Sequence, residues 1–75
     1  MDYVSIQQGT YARIEKFNRA GLKETKSIEL VRGQILNILG YLHDMFDADI
    51  YYLILDGGWQ LTIHKSKFQF IHDYD

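Results

Sequence analysis

The chain contains no cysteine and no proline among its 75 residues. Without cysteine, disulfide staples, thiolate nucleophiles and cysteine-based zinc sites are all excluded, and a reducing intracellular compartment is allowed. No stretch approaches the ~18 uninterrupted apolar residues that a membrane-spanning helix requires, and no charged segment followed by a short apolar run opens the chain. The expectation is a soluble, cytoplasmic protein. Charge of one sign is also scarce: a formal net charge of −2 is too small to define a partner. Internal repeats, low-complexity runs and linkers are missing, and no residue cluster has the spacing of a catalytic, metal or phosphate site.

What is present describes a folded chain. A hydrophobic content of 47% with 15% aromatic residues argues against disorder. Residues 1–75 are read as one domain, near the lower limit at which a chain without metal or disulfide supports its own core. The small net charge is unevenly spread. Residues 1–27 carry Arg13, Lys16, Arg19, Lys23 and Lys26 against Asp2, Glu15 and Glu24, a balance of +2; the remainder carries −4. Such asymmetry bears on steering and surface contacts, not on fold.

The strongest periodic stretch is residues 27–46, SIELVRGQILNILGYLHDMF. At about 100° per residue, Ile28, Val31, Ile35, Ile38, Leu39, Leu42, Met45 and Phe46 share one stripe, with Glu29, Gly33, Asn37, Gly40 and Asp44 opposite. The pattern predicts an amphipathic helix capped by Ser27, with Glu29 in its first turn and its end near Phe46. Its stripe would need an apolar partner.

That partner is expected to be a sheet. Residues 49–56 and 59–65, both rich in β-formers, flank Gly57 and Gly58, which suit a two-residue hairpin loop. Placing Asp56 opposite Trp59 puts Ile50, Tyr52 and Ile54 on the face of Trp59, Leu61 and Ile63, towards the helix. Tyr51, Leu53 and Leu55 then fall on the outer face. A turn at residues 65–67 would lead to a last strand over residues 68–71, followed by an acidic tail. Near the N-terminus, residues 3–6 and 11–17 predict a hairpin turning at residues 7–10, with a helix from Thr10 to Gly21 as the competing reading. Residues 18–26 read as a basic loop. The fold class expected is therefore α+β, one long helix on an antiparallel sheet; the runner-up is two helices plus a C-terminal hairpin.

Four surfaces stand out. Tyr51, Leu53 and Leu55 form an apolar patch of the kind that marks a protein interface, unless another element covers it. Gly33, Asn37 and Gly40 share the helix side away from the core, and each glycine costs about 1 kcal/mol there relative to alanine. Arg13, Lys16, Arg19, Lys23 and Lys26, with Tyr11 and Phe17 nearby, could hold a nucleic-acid strand, although a pI near 5.8 is low for such a binder. Asp44, Asp47 and Asp49, with Asp73 and Asp75 of the tail, could present an acidic patch to a basic site on another protein. Surface aspartates at turns are also common for local reasons.

No metal or cofactor is inferred. His43, His64 and His72 are spaced by 21 and 8 residues, which matches no ligand motif. Pairs such as His72 with Asp73, or His64 with Asp49, lack a nucleophile and an orienting third group, so no enzymatic activity is expected. The expectation is a non-enzymatic protein-binding module: a small regulator or inhibitor, of the kind viruses and mobile elements carry, occupying a partner's surface or forming a homodimer. A nucleic-acid accessory protein is the alternative.

Overall fold

The computed structural model describes residues 2–71. They form seven strands: β1 (Asp2–Ile6), β2 (Thr10–Phe17), β3 (Lys23–Leu30), β4 (Ile35–His43), β5 (Ile50–Leu55), β6 (Gln60–His64) and β7 (Phe68–Ile71). The only helical element among the described residues is a 3-10 turn of three residues at Lys65–Lys67; Asp56–Gly58 is a tight loop with positive φ at Gly57 (80°) and Gly58 (83°). All strand pairs are antiparallel, in the order β3-β2-β6-β5-β4-β1-β7.

The connection from β6 to β7 dictates the sheet's shape. In a flat sheet these strands would lie four spacings apart, roughly 19 Å. A three-residue link reaches at most about 13 Å when extended, and about 8 Å as a 3-10 turn. The sheet must therefore roll, and it encloses one apolar face. That face buries Val4, Ile6, Ala12, Ile14, Leu30, Ile38, Leu53, Leu61, Ile63 and Phe68, with Ile28, Leu36, Tyr51, Leu55, Trp59 and Phe70 packed against them.

The fold is thus all-β, and both the α+β expectation and the two-helix runner-up are overturned. Residues 27–46 are not a helix: they are the end of β3, a turn, β4 and the start of a loop. The turn is built around Gly33, whose φ of +90° strains any other residue. Gly33 N–H donates to the carbonyl of Ile6 (2.8 Å), and the Gln34 side chain accepts from Val31 N–H (3.0 Å). The run ILNIL satisfies a helical period and a strand period alike, and pairing of β4 with β1 on one side and β5 on the other decided between them. The features read as costly in a helix, Gly33 and Gly40, are a turn and a strand irregularity.

The N-terminal hairpin is also corrected. Strands form where expected, but β1 pairs with β4 and β7, while β2 pairs with β3 and β6. Lys23 to Lys26, read as loop, belong to β3. The last strand and the turn before it lie at the expected residues.

The central hairpin forms one register away from expectation. Its loop has three residues, Asp56, Gly57 and Gly58, and Leu55 N–H donates to the Trp59 carbonyl across it (2.7 Å). Leu53 therefore faces Leu61, and Tyr51 faces Ile63. One residue of slip exchanges the two faces. Tyr51, Leu53 and Leu55 point inward, and Leu53 is 0% exposed. The patch expected on the outside is the core.

Leu53→Ala should therefore lose about 2–5 kcal/mol in urea unfolding, the range for a fully buried leucine. Leu53→Asp should abolish the cooperative thermal transition; a Leu53→Asp variant that melts like the wild type would contradict the register.

Candidate protein-binding surface

With Tyr51, Leu53 and Leu55 inside, the outer face of β5 carries Ile50, Tyr52 and Ile54, next to Leu42 and Gly40 of β4. Between Ile38, opposite Leu55, and Gly40, opposite Ile54, the additional residue Leu39 makes a β-bulge. An isolated glycine within a strand pattern marks such an irregularity. The bulge leaves Ile38 in the core and exposes Leu39, which like Leu42 is 61% accessible. A Cβ at Gly40 would meet open space, so the strand surface dips between the two leucines.

Beyond Leu42 the chain enters the loop of residues 44–49. Asp44 organises it. One carboxylate oxygen accepts the backbone N–H groups of Phe46 (2.9 Å) and Asp47 (3.0 Å), and the other accepts the Tyr52 hydroxyl. Asp47 accepts from Asp49 N–H (3.0 Å) and from Ile50 N–H through its carbonyl (3.0 Å). Asp44 N–H closes the loop on the Ile50 carbonyl (2.9 Å), and Asp49 pairs with Lys65 (3.1 Å). This bonding holds Met45 at 87% and Phe46 at 93% exposure. Two large apolar side chains on a pinned loop do nothing for the core, and such preorganised anchors are what protein interfaces use.

The three aspartates are thus together, as their sequence proximity implied, and each has a local structural task. Bonds from Tyr52 and from the Phe46 amide hold the Asp44 carboxyl below its usual range, and the same bond from Asp44 raises the Tyr52 phenol. Of the other expected residues, Gly33 lies in the β3–β4 turn, while Asn37 and Gly40 lie on β4. The helical side on which the three were expected to meet does not form.

The five basic residues converge on one element, the β2–β3 hairpin, which has eight paired positions. Lys16 and Lys26 place their ammonium groups 4.7 and 4.6 Å from the Trp59 ring centroid. This double cation–π clamp fixes the hairpin to the start of β6. On the opposite face, Glu15 pairs with Lys23 (3.0 Å) and Arg13 (3.6 Å), and the Lys23 bond, aided by both cations, keeps its carboxyl below the usual range. Past Glu15 the pairing of β2 with β6 ends. There the splayed elements leave a cleft of about 250 Å³, lined by Glu15, Lys16, Phe17, Lys23, Gly58 and Gln60. Phe17 at its edge is 73% exposed.

His43 Nδ1 lies 3.3 Å from the Ala48 carbonyl, and its ring packs on Tyr51; His64 accepts from Ser66 N–H (3.1 Å). His72, Asp73 and Asp75 lie outside the described residues. Among the described residues no group of three or more His, Asp or Glu side chains could hold a metal ion, and no helix is long and apolar enough to cross a membrane. Sequence reasoning missed Met45 and Phe46 by assigning them to the buried stripe of a helix. The signal available was Asp44 followed by Asp47, the residue type whose side chain caps its own following amides.

The chain matches no protein-family model, no curated protein and no solved structure. The class that can be stated is architectural: a small antiparallel all-β domain with an exposed apolar strand face and a pinned apolar loop.

Removing the Asp44 charge tests the loop's construction. In Asp44→Asn, one tyrosine should titrate at lower pH by phenolate absorbance, and the amides of Phe46 and Asp47 should exchange faster. The stability Asp44 confers is present above the ordinary carboxylate range and lost as pH falls through its depressed folded value. Tyr52 contributes below the ordinary tyrosine range and loses that contribution as pH rises through its raised folded value. The stability gap between wild type and Asp44→Asn should therefore be widest at neutral pH in thermal melts and shrink at both extremes.

Proposed function

We propose that the protein is a non-enzymatic protein-binding module, a small regulator or inhibitor acting from the cytoplasm, whose contact surface is the outer face of β4 and the loop after it. The observation that carries this reading is the run Leu39, Leu42, Met45 and Phe46, all more than 60% exposed and all on one strand and its loop. Isolated exposed apolar residues need no explanation. Four within eight residues, two of them held out by a hydrogen-bonded loop, do. The partner this surface fits is a protein with an apolar pocket bordered by basic side chains, since Phe46 stands between the carboxylates of Asp44 and Asp47.

A photoreactive amino acid at position 46, introduced in the native cell, should crosslink to a protein, and the same group at exposed position 32, in the β3–β4 turn, should not. Absence of any protein adduct from position 46 would overturn the reading.

The convergence of Arg13, Lys16, Arg19, Lys23 and Lys26 on one hairpin, with Phe17 and Tyr11 exposed on it, supports a second reading as a nucleic-acid accessory protein. In that case the wild type should shift a single-stranded oligonucleotide at low salt. The shift should weaken steeply as salt rises and vanish when Arg19, Lys23 and Lys26 are reversed to Glu. No shift by the wild type at low salt ends this reading.

A further inference from the structure

The acidic apolar loop and the basic cleft lie at opposite ends of β5. Residues 44–49 precede the strand, Asp56–Gly58 follow it, and Gly58 lines the cleft. Six residues of strand separate the two by roughly 20 Å, so a copy of the chain cannot place its own tip in its own cleft. The two features are nevertheless complementary in three respects.

The first is size. About 150 Å³ accommodates a benzene ring in a protein cavity, and the cleft offers about 250 Å³, room for one phenyl side chain with its neighbours. The second is apolar surface: Phe46 is 93% exposed on the tip, and Phe17 is 73% exposed at the cleft. The third is charge. Residues 44–49 carry three aspartates and no cation of their own, with Asp49 offset by Lys65. The cleft's own lining carries Lys16 and Lys23 against Glu15, a balance of +1, on a hairpin whose residues 13–26 balance +3.

We propose that copies of this chain associate head to tail, Phe46 of one copy seating in the cleft beside Phe17 of the next, with Asp44 and Asp47 against Lys16 and Lys23. The inference rests on the reading of the loop as a protein contact and names its partner as a second copy. A contact joining two different surfaces is heterologous: it forms a ring where the rotation closes and a filament where it does not. A nucleic-acid strand fits the cleft less well. The cleft accepts a single side chain, and a phosphate backbone running past it meets the carboxylate of Glu15 in its lining.

Sedimentation velocity over a range of protein and salt concentrations tests this. The wild type should gain mass as concentration rises and lose it as salt rises. Phe46→Ser, and separately the double variant Lys16→Glu/Lys23→Glu, should be monomers with retained β-sheet circular dichroism. Mixed together, they should stop at twice the monomer mass, because one supplies the intact cleft and the other the intact tip. A dimer that joins tip to tip or cleft to cleft cannot give that result. The proposal is overturned by a wild type that stays monomeric at every concentration, by assembly that survives both changes, or by a mixture that stays monomeric. Oligonucleotide binding lost in the lysine variant, with a monomeric wild type, would assign the cleft to nucleic acid instead. A monomeric wild type whose position 46 crosslinks to a different protein removes head-to-tail assembly and leaves the protein-binding reading intact. No adduct at position 46 removes the reading itself.

Discussion

The shape of this domain depends on three residues, Lys65–Lys67, which carry the chain from β6 at the middle of the sheet to β7 at its edge. Because so short a link cannot cross four strand spacings, the sheet rolls, and rolling gives it an inside and an outside. The link is itself anchored: Lys65 N–H donates to the Asp49 carbonyl (2.7 Å), and the Lys67 carbonyl accepts from Gln7 N–H (2.8 Å). The N-terminal strand, the β4–β5 loop and the β6–β7 turn are tied together at this point. β1 then seals the structure by pairing with β4 and β7.

Two local irregularities decide what the outside presents. The three-residue loop at Asp56–Gly58 sets the register of the central hairpin and so sends Leu53 inward. The bulge at Leu39 re-phases β4. Ile38 before it and Tyr41 after it, opposite Leu53, both lie on the inner side, and Leu39 and Leu42 are left exposed. A strand of regular alternation would have no reason to show two leucines to solvent so close together. The exposure of Leu39 and Leu42 thus follows from the irregularity between Ile38 and Gly40, and that of Met45 and Phe46 from the loop that Asp44 holds.

The electrostatic division of the molecule runs along the same axis. The hairpin β2–β3 gathers the basic residues, and its attachment through Trp59 spends two lysines without neutralising them, since a ring offers a quadrupole and no countercharge. At the other end, the Asp44 carboxylate accepts two backbone amides and the Tyr52 hydroxyl, bonds that favour its charged form, while Asp47 accepts the Asp49 amide and Asp49 pairs with Lys65. Each end therefore keeps its sign while using its charged groups to hold its own structure. A nearly neutral chain acquires two poles.

Local sequence determined much of this protein. The last strand and the turn before it, the two β-rich arms around Gly57 and Gly58, the proximity of Asp44, Asp47 and Asp49 and the uneven charge were all legible in neighbouring residues. Each rests on interactions between residues close in the chain. The strand identity of residues 35–43, the neighbours of β1 and the outward position of Phe46 were not. ILNIL suits a helix and a strand equally, and only β1 and β5, distant in sequence, select the strand. The facing of Tyr51, Leu53 and Leu55 turned on a single loop residue, because a period of two converts a shift of one into an exchange of faces. Tertiary structure decided which side of the sheet is core, and through that which residues remain for a partner.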